Sequence, residues 1–363
     1  MKLFIDIGHP SYYLALRHFI RILSAKGHTF FITARDKDVT AELLNHDGIV
    51  WKNRGKGSKT VPGKLYHLVH SEVKLLPEVR RFAPDLFLSF SSPVAAHLAF
   101  ILRKPCITLE DTECAHWVIR SYRPFSTVIL TPVSFRNRMG KKHLYFTSFK
   151  ELGNLHPKRF NPMEGETVQN GFLPEMPFIL LRFTGSGALH DRHQRVLYEH
   201  EKIQIVLHLS RYARIYISSE EILSRELSSY AIPARAWEMH HIMARASLFF
   251  GESATMAAEA AVLGIPSIYI DDRGRGYTDE LEHKYGLLFR YPKSSSGIEQ
   301  ALNMAGRLLE NTDTLHQWQN RRQLMLKEKT DFTDFLIGFV EHFPQSFSVL
   351  KDGEKEEHYP ATL

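Results

Sequence analysis

The sequence predicts an α/β fold built from two doubly wound domains that face each other across a cleft. Three observations predict it. The chain has 363 residues, which is too long for one ordinary domain and sufficient for two that each bury a core. Short apolar, β-rich segments alternate with segments of helical periodicity. This alternation lapses once near the middle of the chain and then begins again, as expected at a boundary between domains.

Five segments of the first half are predicted to be buried strands. They are residues 3–7 (LFIDI), 29–34 (TFFITA), 85–90 (DLFLSF), 105–110 (PCITLE) and 127–132 (TVILTP). Between the first two, apolar residues recur every three or four positions from Tyr12 to Ala25, which predicts a helix that ends at Gly27. Strands joined by helical crossovers form a parallel sheet with helices on both faces. Residues 53–64 are rich in Gly, Pro and Lys and predict a basic loop.

The second half repeats the pattern after a Gly-, Pro- and Asn-rich stretch at residues 154–177, which predicts a linker. Strands are predicted at residues 178–183, 213–218, 247–251 and 267–271, and a C-terminal helix at residues 332–343. The tail from Asp352 is polar, so we expect it to fray. The predicted domains are therefore residues 1–165 and 166–330, followed by a C-terminal helix and tail over residues 331–363.

The composition excludes several classes of protein. Apolar residues make up 44% of the chain and charged residues 24%, which excludes a disordered or fibrous protein. No apolar run approaches the roughly 20 residues that span a bilayer, and the N-terminus lacks a signal-peptide pattern. We therefore expect a cytoplasmic protein. Cys106 and Cys114 are too few for a disulfide framework and lack metal-type spacing, so both are predicted to be buried or bystander thiols.

The excess positive charge lies in the first half of the chain. Residues 1–165 hold 25 Lys and Arg against 13 Asp and Glu, whereas the remainder holds 21 against 27. A basic domain favours an anionic partner: the inner face of a membrane, a lipid-linked phosphate or nucleic acid. We find no zinc-finger, RNP-type or recognition-helix pattern, so no nucleic acid is expected. A solvated basic surface without a specific partner is the alternative.

The most informative pattern of the chain is the segment LFFGESATMAAEAAVLGIPSIYI, which predicts a strand, a small-residue turn, a helix, a tight turn and a strand. Gly251, Ser253, Ala254 and Thr255 let a ligand approach the backbone. The N–H groups and dipole of a helix that starts there favour a phosphate. Glu259 lies less than two turns further on, where its carboxylate can accept hydrogen bonds from a ribose. The alternative is a capped helix, with Ser253 or Thr255 as the cap and Glu259 in solvent.

This segment resembles the nucleotide-sugar motif of GT-B enzymes, in particular the peptidoglycan N-acetylglucosaminyltransferase. In that enzyme a helix also begins with small residues and carries a ribose-binding glutamate before a Gly-x-Pro turn. Glu259 is the matching position, and Gly264 and Pro266 match the turn.

Over roughly residues 1–290 the chain more closely resembles the family called domain of unknown function 354, which is similar to this transferase and to the UDP-N-acetylglucosamine 2-epimerases. The segments GHTFFITARD and TLEDTECA also carry the resemblance. It implies two Rossmann-like domains in the GT-B arrangement and a nucleoside diphosphate sugar as ligand. No metal and no other cofactor is expected. Membership of a family does not by itself define the reaction.

The first predicted strand ends in IDIGHPSYYLAL, which puts Gly8, His9 and Pro10 in the turn before a helix. GT-B transferases have a glycine-rich turn with a histidine here, so the resemblance implies that His9 is a base or a contact for the sugar. The ordinary pKa of histidine, about 6.5, suits deprotonation of a hydroxyl near neutrality. A helix cap or a core residue is the alternative for His9. This turn also has only one glycine, unlike that of the transferases.

Three carboxylates follow another predicted strand, in TLEDTECAH. Glu110, Asp111 and Glu113 stand within four residues, and crowding raises carboxylate pKa values, which suits acid/base catalysis. The resemblance to the epimerases places a glutamate at about Glu110. The alternative is a capping cluster for the next helix, with Asp111 or Thr112 as the cap.

The epimerases also have a catalytic aspartate in a small-residue turn after the preceding strand. Here that turn reads Ser91, Ser92 and Pro93. One of the two acids that remove and return a proton is therefore missing, which argues against plain epimerase chemistry.

The second half offers two further polar segments after predicted strands. In RFTGSGALHD, Arg182 is predicted to pair with a diphosphate, and Gly185 to lie in the flexible turn beside it. In DDRGRGYTDE, the resemblance implies a loop that holds the donor sugar, with Asp279 and Glu280 as candidates. A short helix is expected before the strand that opens the nucleotide-sugar motif. The closest role we expect for its histidines is that His240 or His241 lies near a nucleobase.

These features predict the transfer of a sugar from a nucleoside diphosphate sugar that is bound to the second domain. We expect this donor to be a UDP-sugar. The acceptor, lipid-linked or a polysaccharide, would meet the basic first domain, with His9 or the Glu110–Asp111 pair as the base. Two rivals remain open. One is an epimerase or hydrolase that acts on the same nucleotide sugar, and the other is a non-catalytic protein that binds a nucleotide or a polyanion.

Overall fold

Parallel pairing joins the strands of both halves of the chain into two separate sheets. The structure is a computed structural model that describes residues 1–36, 39–55, 57–58, 60–162, 177–184, 195–219 and 221–355, without the side chains of residues 61, 354 and 355. Two compact units divide the chain: residues 1–156 together with the C-terminal residues from 329, and residues 157–328.

The bounds of the strands and helices are as follows. The strands are β1 (Lys2–Ile7), β2 (Thr29–Ala34), β3 (Trp51–Asn53), β4 (Leu86–Phe90), β5 (Cys106–Leu109), β6 (Val128–Pro132), β7 (His143–Phe146), β8 (Phe178–Phe183), β9 (Arg214–Ser219), β10 (Leu248–Gly251), β11 (Ser267–Ile270) and β12 (Leu288–Tyr291). The helices are α1 (Pro10–Ala25), α2 (Thr40–His46), α3 (Val61–Phe82), α4 (Pro93–Ile101), α5 (His116–Tyr122), α6 (Leu152–Leu155), α7 (Glu199–Leu209), α8 (Met239–Met243), α9 (Ala254–Leu263), α10 (Gly276–His283), α11 (Ser295–Glu310), α12 (Thr314–Glu328), α13 (Phe332–Glu341) and α14 (Gln345–Lys355).

The sheet of the first unit has the order β3-β2-β1-β4-β5-β6-β7. The chain runs outward from β1 to β3, and α3 then carries it back to β4 on the other side of β1. Strand order therefore reverses between β1 and β4, whose register pairs Asp6 with Ser89. The carboxyl ends of strands at such a switch point are where open α/β sheets bind ligands.

Helices α3, α4 and α5 pack side by side and share one core cluster with the sheet, which includes Phe4 and Phe87. Helix α1 packs against α6 and α13. A Cβ at Gly153 would lie 2.3 Å from the carbonyl oxygen of Ala15, so α6 and α1 meet backbone to backbone. The Thr333 hydroxyl donates to the Gly153 carbonyl at 3.0 Å. These contacts explain why the C-terminal helices belong to the first unit.

The sheet of the second unit has the order β12-β11-β10-β8-β9. Helices α7 and α11 bury apolar residues such as Ile205, Leu209 and Ala301 against Leu181 and Phe250 of the sheet. The switch point of this sheet lies between β8 and β10, because β9 follows on one side and the remaining strands on the other.

Three strands lie outside the predictions from sequence: β3, β7 and β12. Each has three or four residues and forms an edge of its sheet. An edge strand is covered on fewer sides than a central one, so its sequence lacks the continuous apolar run on which the predictions rested.

Two predictions about loops are wrong in part. Helix α3 begins at Val61, inside the loop predicted for residues 53–64, because the Thr60 hydroxyl accepts a hydrogen bond from the Gly63 N–H at 3.2 Å and caps the helix. Helix α14 continues through Asp352 to Lys355, so the predicted tail is helical at its start, and its residues 356–363 lie outside the described part of the chain. None of the described helices is long and apolar enough to cross a membrane.

Candidate functional site

The carboxyl ends of β8 and β10 meet at the switch point of the second sheet. Gly251 is the last residue of β10 and pairs in register with Arg182 of β8. A Cβ on Gly251 would lie 2.4 Å from the carbonyl oxygen of Arg182 and 2.9 Å from its Cβ. Glycine is therefore required for β10 to approach β8 this closely at the place where α/β sheets bind ligands.

Helix α9 begins directly after this close approach. Ser253, rather than Thr255, is its N-cap, and the Ser253 hydroxyl accepts a hydrogen bond from the Met256 N–H at 3.3 Å. Ala254 and Thr255 form the first turn. The positive end of the helix dipole thus lies at the carboxyl edge of the second sheet, where it favours an anion.

The other end of α9 is held by side chains of α12. Gly264 ends the helix with a φ of 76°, a left-handed conformation that favours glycine. Gln319 Nε2 donates to the carbonyls of Leu263 and Gly264, each at 3.1 Å, and Arg322 Nε donates to the Val262 carbonyl at 2.8 Å. Burial lowers the pKa of Arg322. A guanidinium beside the last carbonyls stabilises the negative end of the dipole.

Glu259 lies buried on α9, with 7% of its surface exposed. Its Oε1 atom is 3.2 Å from Nε2 of His240 on α8. The Phe160 ring contacts both neighbouring histidines, with ring centres 4.8 Å from His241 and 6.3 Å from His240. Glu259 is therefore not a solvated residue, and its partner His240 packs against the buried Phe160 ring.

Arg182 contacts the neighbouring strand at this edge. Its Nη1 atom donates to the Ser218 hydroxyl of β9 at 2.7 Å, and the residue is half-buried. Gly185, predicted to lie in the turn beside it, is outside the described residues.

Asp279 and Glu280 belong to helix α10 and not to a loop, which corrects the expectation from sequence. The loop ends at Arg275, because the Thr278 hydroxyl accepts a hydrogen bond from the Arg275 N–H at 2.9 Å and starts the helix there. Asp279 Oδ1 lies close to Gly274, because a Cβ added to Gly274 would be only 2.8 Å from this oxygen.

A buried ion pair joins three turns at this edge. Its residues were not among those predicted from the sequence. Glu252, which follows β10, has its Oε1 atom 2.9 Å from Nζ of Lys293, which follows β12. Its Oε2 atom accepts a hydrogen bond from the N–H of Thr184, which follows β8, at 3.4 Å. A charged residue directly after the buried strand in LFFGES is the signal that could have identified Glu252.

In the first unit, the carboxylate of Glu110 is buried at the end of β5. Its Oε2 atom accepts hydrogen bonds from the Ser91 and Tyr122 hydroxyls at 2.7 and 2.8 Å, and its Oε1 atom from the N–H groups of Asp111 and Thr112, each at 3.0 Å. Burial and then the charge of Asp111 raise the pKa of Glu110 to about 7. Both disfavour the ionised form, and they outweigh the hydrogen bonds. Such a carboxyl can exchange a proton near neutral pH.

Asp111 has a cation as its partner, whereas Glu110 accepts hydrogen bonds from neutral groups. Lys150 Nζ pairs with Oδ2 of Asp111 and lies 2.7 Å from Oε1 of Glu151. Lys150, Asp111 and Glu151 are all buried, and burial is the main cause that raises the pKa of Glu151. Helix α5 begins only at His116 without a side-chain cap, so neither Asp111 nor Thr112 caps it.

His9 is the N-cap of α1. Its Nδ1 atom accepts a hydrogen bond from the Ser11 N–H at 3.2 Å. Its ring meets that of Tyr12 edge-on, with centres 5.8 Å apart. A hydrogen bond joins Tyr12 to Ser91, which in turn donates to Glu110. The capping role expected as the alternative is thus present, and two side chains connect His9 to Glu110.

Ser91 reaches Glu110 from an uncommon backbone conformation. Its φ is 47°, in the left-handed region that side chains other than glycine rarely adopt. Strain of this kind tends to persist at functional sites, where the surroundings hold it.

Another buried carboxylate lies at the switch point of the first unit's sheet. It too was not among the residues predicted from the sequence. Asp6 is fully buried in β1. Arg54 Nε and Nη2 donate to its two oxygens at 2.6 and 2.9 Å, and the Thr33 and Ser92 hydroxyls donate at 2.7 and 2.5 Å. Four donors stabilise a buried carboxylate and connect four segments of the unit. The acid within the apolar strand LFIDI was the available signal.

Each unit thus brings its own candidates together. The first unit connects His9, Glu110 and Asp111, and the second places Arg182, Ser253, Ala254, Thr255 and Glu259 on the strand and helix at its switch point. Among the described residues, no group of three or more His, Cys, Asp or Glu is arranged to hold a metal ion.

Two parallel, doubly wound sheets with these switch points define the GT-B class of fold, which is found in glycosyltransferases and in UDP-GlcNAc 2-epimerases. The chain belongs to the family described as Protein of unknown function (DUF354), whose model matches residues 1–342.

Three solved structures illustrate the class. The S. aureus MnaA–UDP structure has a TM-score of 0.69 at 12% identity, covering 96% of this chain and 98% of that one. The UDP-GlcNAc 2-epimerase from Methanocaldococcus jannaschii has a TM-score of 0.61 at 14% identity, covering 89% and 99%. The spinosyn rhamnosyltransferase SpnG with thymidine diphosphate has a TM-score of 0.62 at 13% identity, covering 92% and 98%. Identities this low establish the fold alone.

Proposed function

We propose that this protein is a glycosyltransferase-like enzyme that uses a nucleoside diphosphate sugar, a UDP-sugar, to modify a lipid-linked or polysaccharide acceptor. We assign the donor to residues 166–330 and the activation of the acceptor to residues 1–165. The observation that carries the proposal is the buried Glu259 on α9, a helix that begins at the switch point of the second sheet. UDP in the S. aureus MnaA structure and thymidine diphosphate in the SpnG structure support a nucleotide ligand.

On the donor side, the N-terminus of α9 and the Arg182 guanidinium offset the charge that develops on the leaving diphosphate. Ser253, Ala254, Thr255 and Gly185 let the backbone approach the phosphates. Glu259 accepts hydrogen bonds from the ribose hydroxyls. Asp279 and Glu280 bind hydroxyls of the donor sugar. This scheme needs no metal and no other cofactor.

On the acceptor side, Glu110 is the leading candidate for the base. It takes the proton of an acceptor hydroxyl while the hydroxyl oxygen bonds to the anomeric carbon and the diphosphate leaves. Asp111, which pairs with Lys150, contributes after burial to the raised pKa of Glu110. His9 is the second candidate, because Tyr12 and Ser91 connect it to Glu110.

An epimerase or hydrolase of the same nucleotide sugar is the second candidate function. The likeness to the epimerase fold and the position of Glu110 favour it. Ser91 and Ser92 disfavour it, since they occupy the turn where the resemblance implies a second catalytic acid. A protein that binds a nucleotide or a polyanion without turnover would need neither Glu110 nor Asp111.

An anionic membrane surface is the further partner that we propose, which would place the protein at the inner face of a membrane. The excess of Lys and Arg over residues 1–165 supports it. This excess also suits an acceptor that carries a lipid-linked phosphate.

A thermal-shift panel of nucleotides and nucleotide sugars tests the donor assignment. A ligand at 100 times its Kd stabilises the folded protein by about 2.7 kcal/mol, so UDP or a UDP-sugar should raise Tm clearly. Mass spectrometry of each stabilising sugar without acceptor then separates the reactions, because an epimerase or hydrolase converts the sugar alone. A panel in which no nucleotide raises Tm would contradict the proposal.

A further inference from the structure

The outer surface of three helices in the first unit exposes side chains that proteins usually bury. Helices α3, α4 and α5 pack side by side, and their inner sides contribute to one core cluster. Large apolar side chains are exposed on the outer side of this layer: Leu65, Tyr66, Val69 and Val73 on α3, Phe100 and Ile101 on α4, and Trp117 and Val118 on α5.

Helix α3 shows the pattern most clearly. Leu65, Val69 and Val73 are 62%, 51% and 67% exposed, and their spacing of four residues puts them in one stripe. Leu75 and Val79 of the same helix lie in the core cluster. A surface helix normally has one apolar stripe, which faces the core. A second stripe therefore indicates that something covers the outer side of α3.

Basic side chains surround this apolar surface. Exposed Lys and Arg side chains lie on α3 and α5 at Lys64, Lys74, Arg80, Arg81 and Arg120. The Arg120 guanidinium lies 5.6 Å from the centre of the Trp117 ring. The acidic residues of the three helices, Glu72 and Glu78, are paired with His97 and Lys52. The layer therefore combines an apolar centre with more exposed basic than acidic side chains.

We propose that the outer surface of α3, α4 and α5 docks on an anionic lipid bilayer. Its apolar side chains enter the interface, and its Lys and Arg side chains contact the headgroups. This combination is what interfacial helices use, because apolar burial and electrostatic attraction add. Trp117 suits the interface, where its ring lies at the level of the headgroups. The inference rests on the membrane partner proposed above and not on the sugar chemistry.

Flotation of the full-length protein with vesicles tests this surface. We expect binding to vesicles of phosphatidylglycerol and phosphatidylcholine at low salt, and little binding to phosphatidylcholine alone. Binding should fall steeply towards physiological salt, where the Debye length is about 8 Å. The variant Arg80→Gln/Arg81→Gln should lower the partition coefficient ~25-fold, about fivefold per basic residue.

The triple variant Leu65→Ser/Val69→Ser/Val73→Ser should lower the partition coefficient at least about tenfold, because it removes apolar surface from the interface. The matched control is Leu207→Ser, which changes a side chain on α7 of the second unit that is 57% exposed. It should bind as the wild type does. Circular dichroism of each variant verifies that it is folded, and the arginine variant tests the surface without changing an apolar residue.

The outcomes separate the proposals. No binding of the wild type to anionic vesicles at low salt overturns both the membrane partner and this surface. If the wild type binds and both α3 variants bind equally well, the proposal of this docking surface is overturned and the membrane partner is not. A wild-type dimer that the triple variant dissociates in analytical ultracentrifugation assigns the surface to a second copy and overturns docking on lipid. UDP binding, measured separately, tests the sugar chemistry independently of all three results.

Discussion

His240 and Glu259 form a buried pair in the second unit, with Nε2 of the histidine 3.2 Å from Oε1 of the glutamate. The pair joins α8 to α9, two segments separated by a strand. A ribose that binds here would meet a carboxylate that is already oriented, which reduces the entropy lost on binding. His240 is therefore a positioning residue for the proposed donor site.

Removing the Glu259 carboxylate should weaken nucleotide binding. We expect Glu259→Ala to lower the affinity for UDP by about 1 to 3 kcal/mol, since hydrogen bonds to a charged group are lost. His240→Ala should have a smaller effect in the same direction, because the carboxylate remains. Isothermal titration calorimetry measures both, with Glu299→Ala as the control, an exposed glutamate on α11. Equal affinities of Glu259→Ala and the wild type would remove the donor assignment.

Turnover should depend on the ionisation of Glu110. Its pKa is raised to about 7, so the ionised, basic form increases as pH rises through about 7, and the rate should rise with it. Glu110→Gln should lower single-turnover rates by about 10²- to 10⁴-fold and leave UDP affinity nearly unchanged. The assay follows product in a single turnover at each pH, once donor and acceptor are identified.

Asp111→Asn provides the internal check on this assignment. The charge of Asp111 raises the pKa of Glu110, so its removal should shift the pH profile to lower pH. Infrared titration of the carboxyl band, with Glu110→Gln as the blank, follows the same ionisation without donor or acceptor. A profile that stays in place in Asp111→Asn would mean that another group is the base.

The sequence predicted the parts of the fold that depend on local pattern. Strands β2 and β8 lie where their continuous apolar runs predicted them, at residues 29–34 and 178–183. The crowding of Glu110 and Asp111 is likewise visible in the sequence. Lys150 and His240 are different, because each reaches its carboxylate only through tertiary packing of segments that are distant or separated by a strand. No spacing rule predicts such a pair.

Two substitutions separate the capping role of His9 from a catalytic one. His9→Ala removes the acceptor for the Ser11 N–H and should lower the free energy of unfolding by about 0.5 to 2 kcal/mol. His9→Asn keeps a good N-cap, so its stability should remain close to that of the wild type. Urea unfolding measures both. If His9 is also a base, His9→Asn should still lose turnover, whereas full activity of the asparagine variant restricts His9 to the cap.

The close approach of β10 to β8 predicts a strong effect of one methyl group. In Gly251→Ala the new Cβ would lie 2.4 Å from the Arg182 carbonyl oxygen, and a backbone atom in a sheet cannot move aside as a flexible side chain does. We expect a loss of stability of up to about 3 kcal/mol, the upper range for overpacking. UDP affinity should also fall, because the strands must separate where α9 begins. The control is Gly8→Ala, because its Cβ would have only Arg54 Nη2 nearby, at 3.9 Å. This control should leave both the stability and the UDP affinity nearly unchanged.

Thermal unfolding with and without UDP measures the two quantities together. A Gly251→Ala protein that melts and binds like the wild type would show that the two strands can separate at little cost, and the switch point would then not be the fixed platform that the donor site requires.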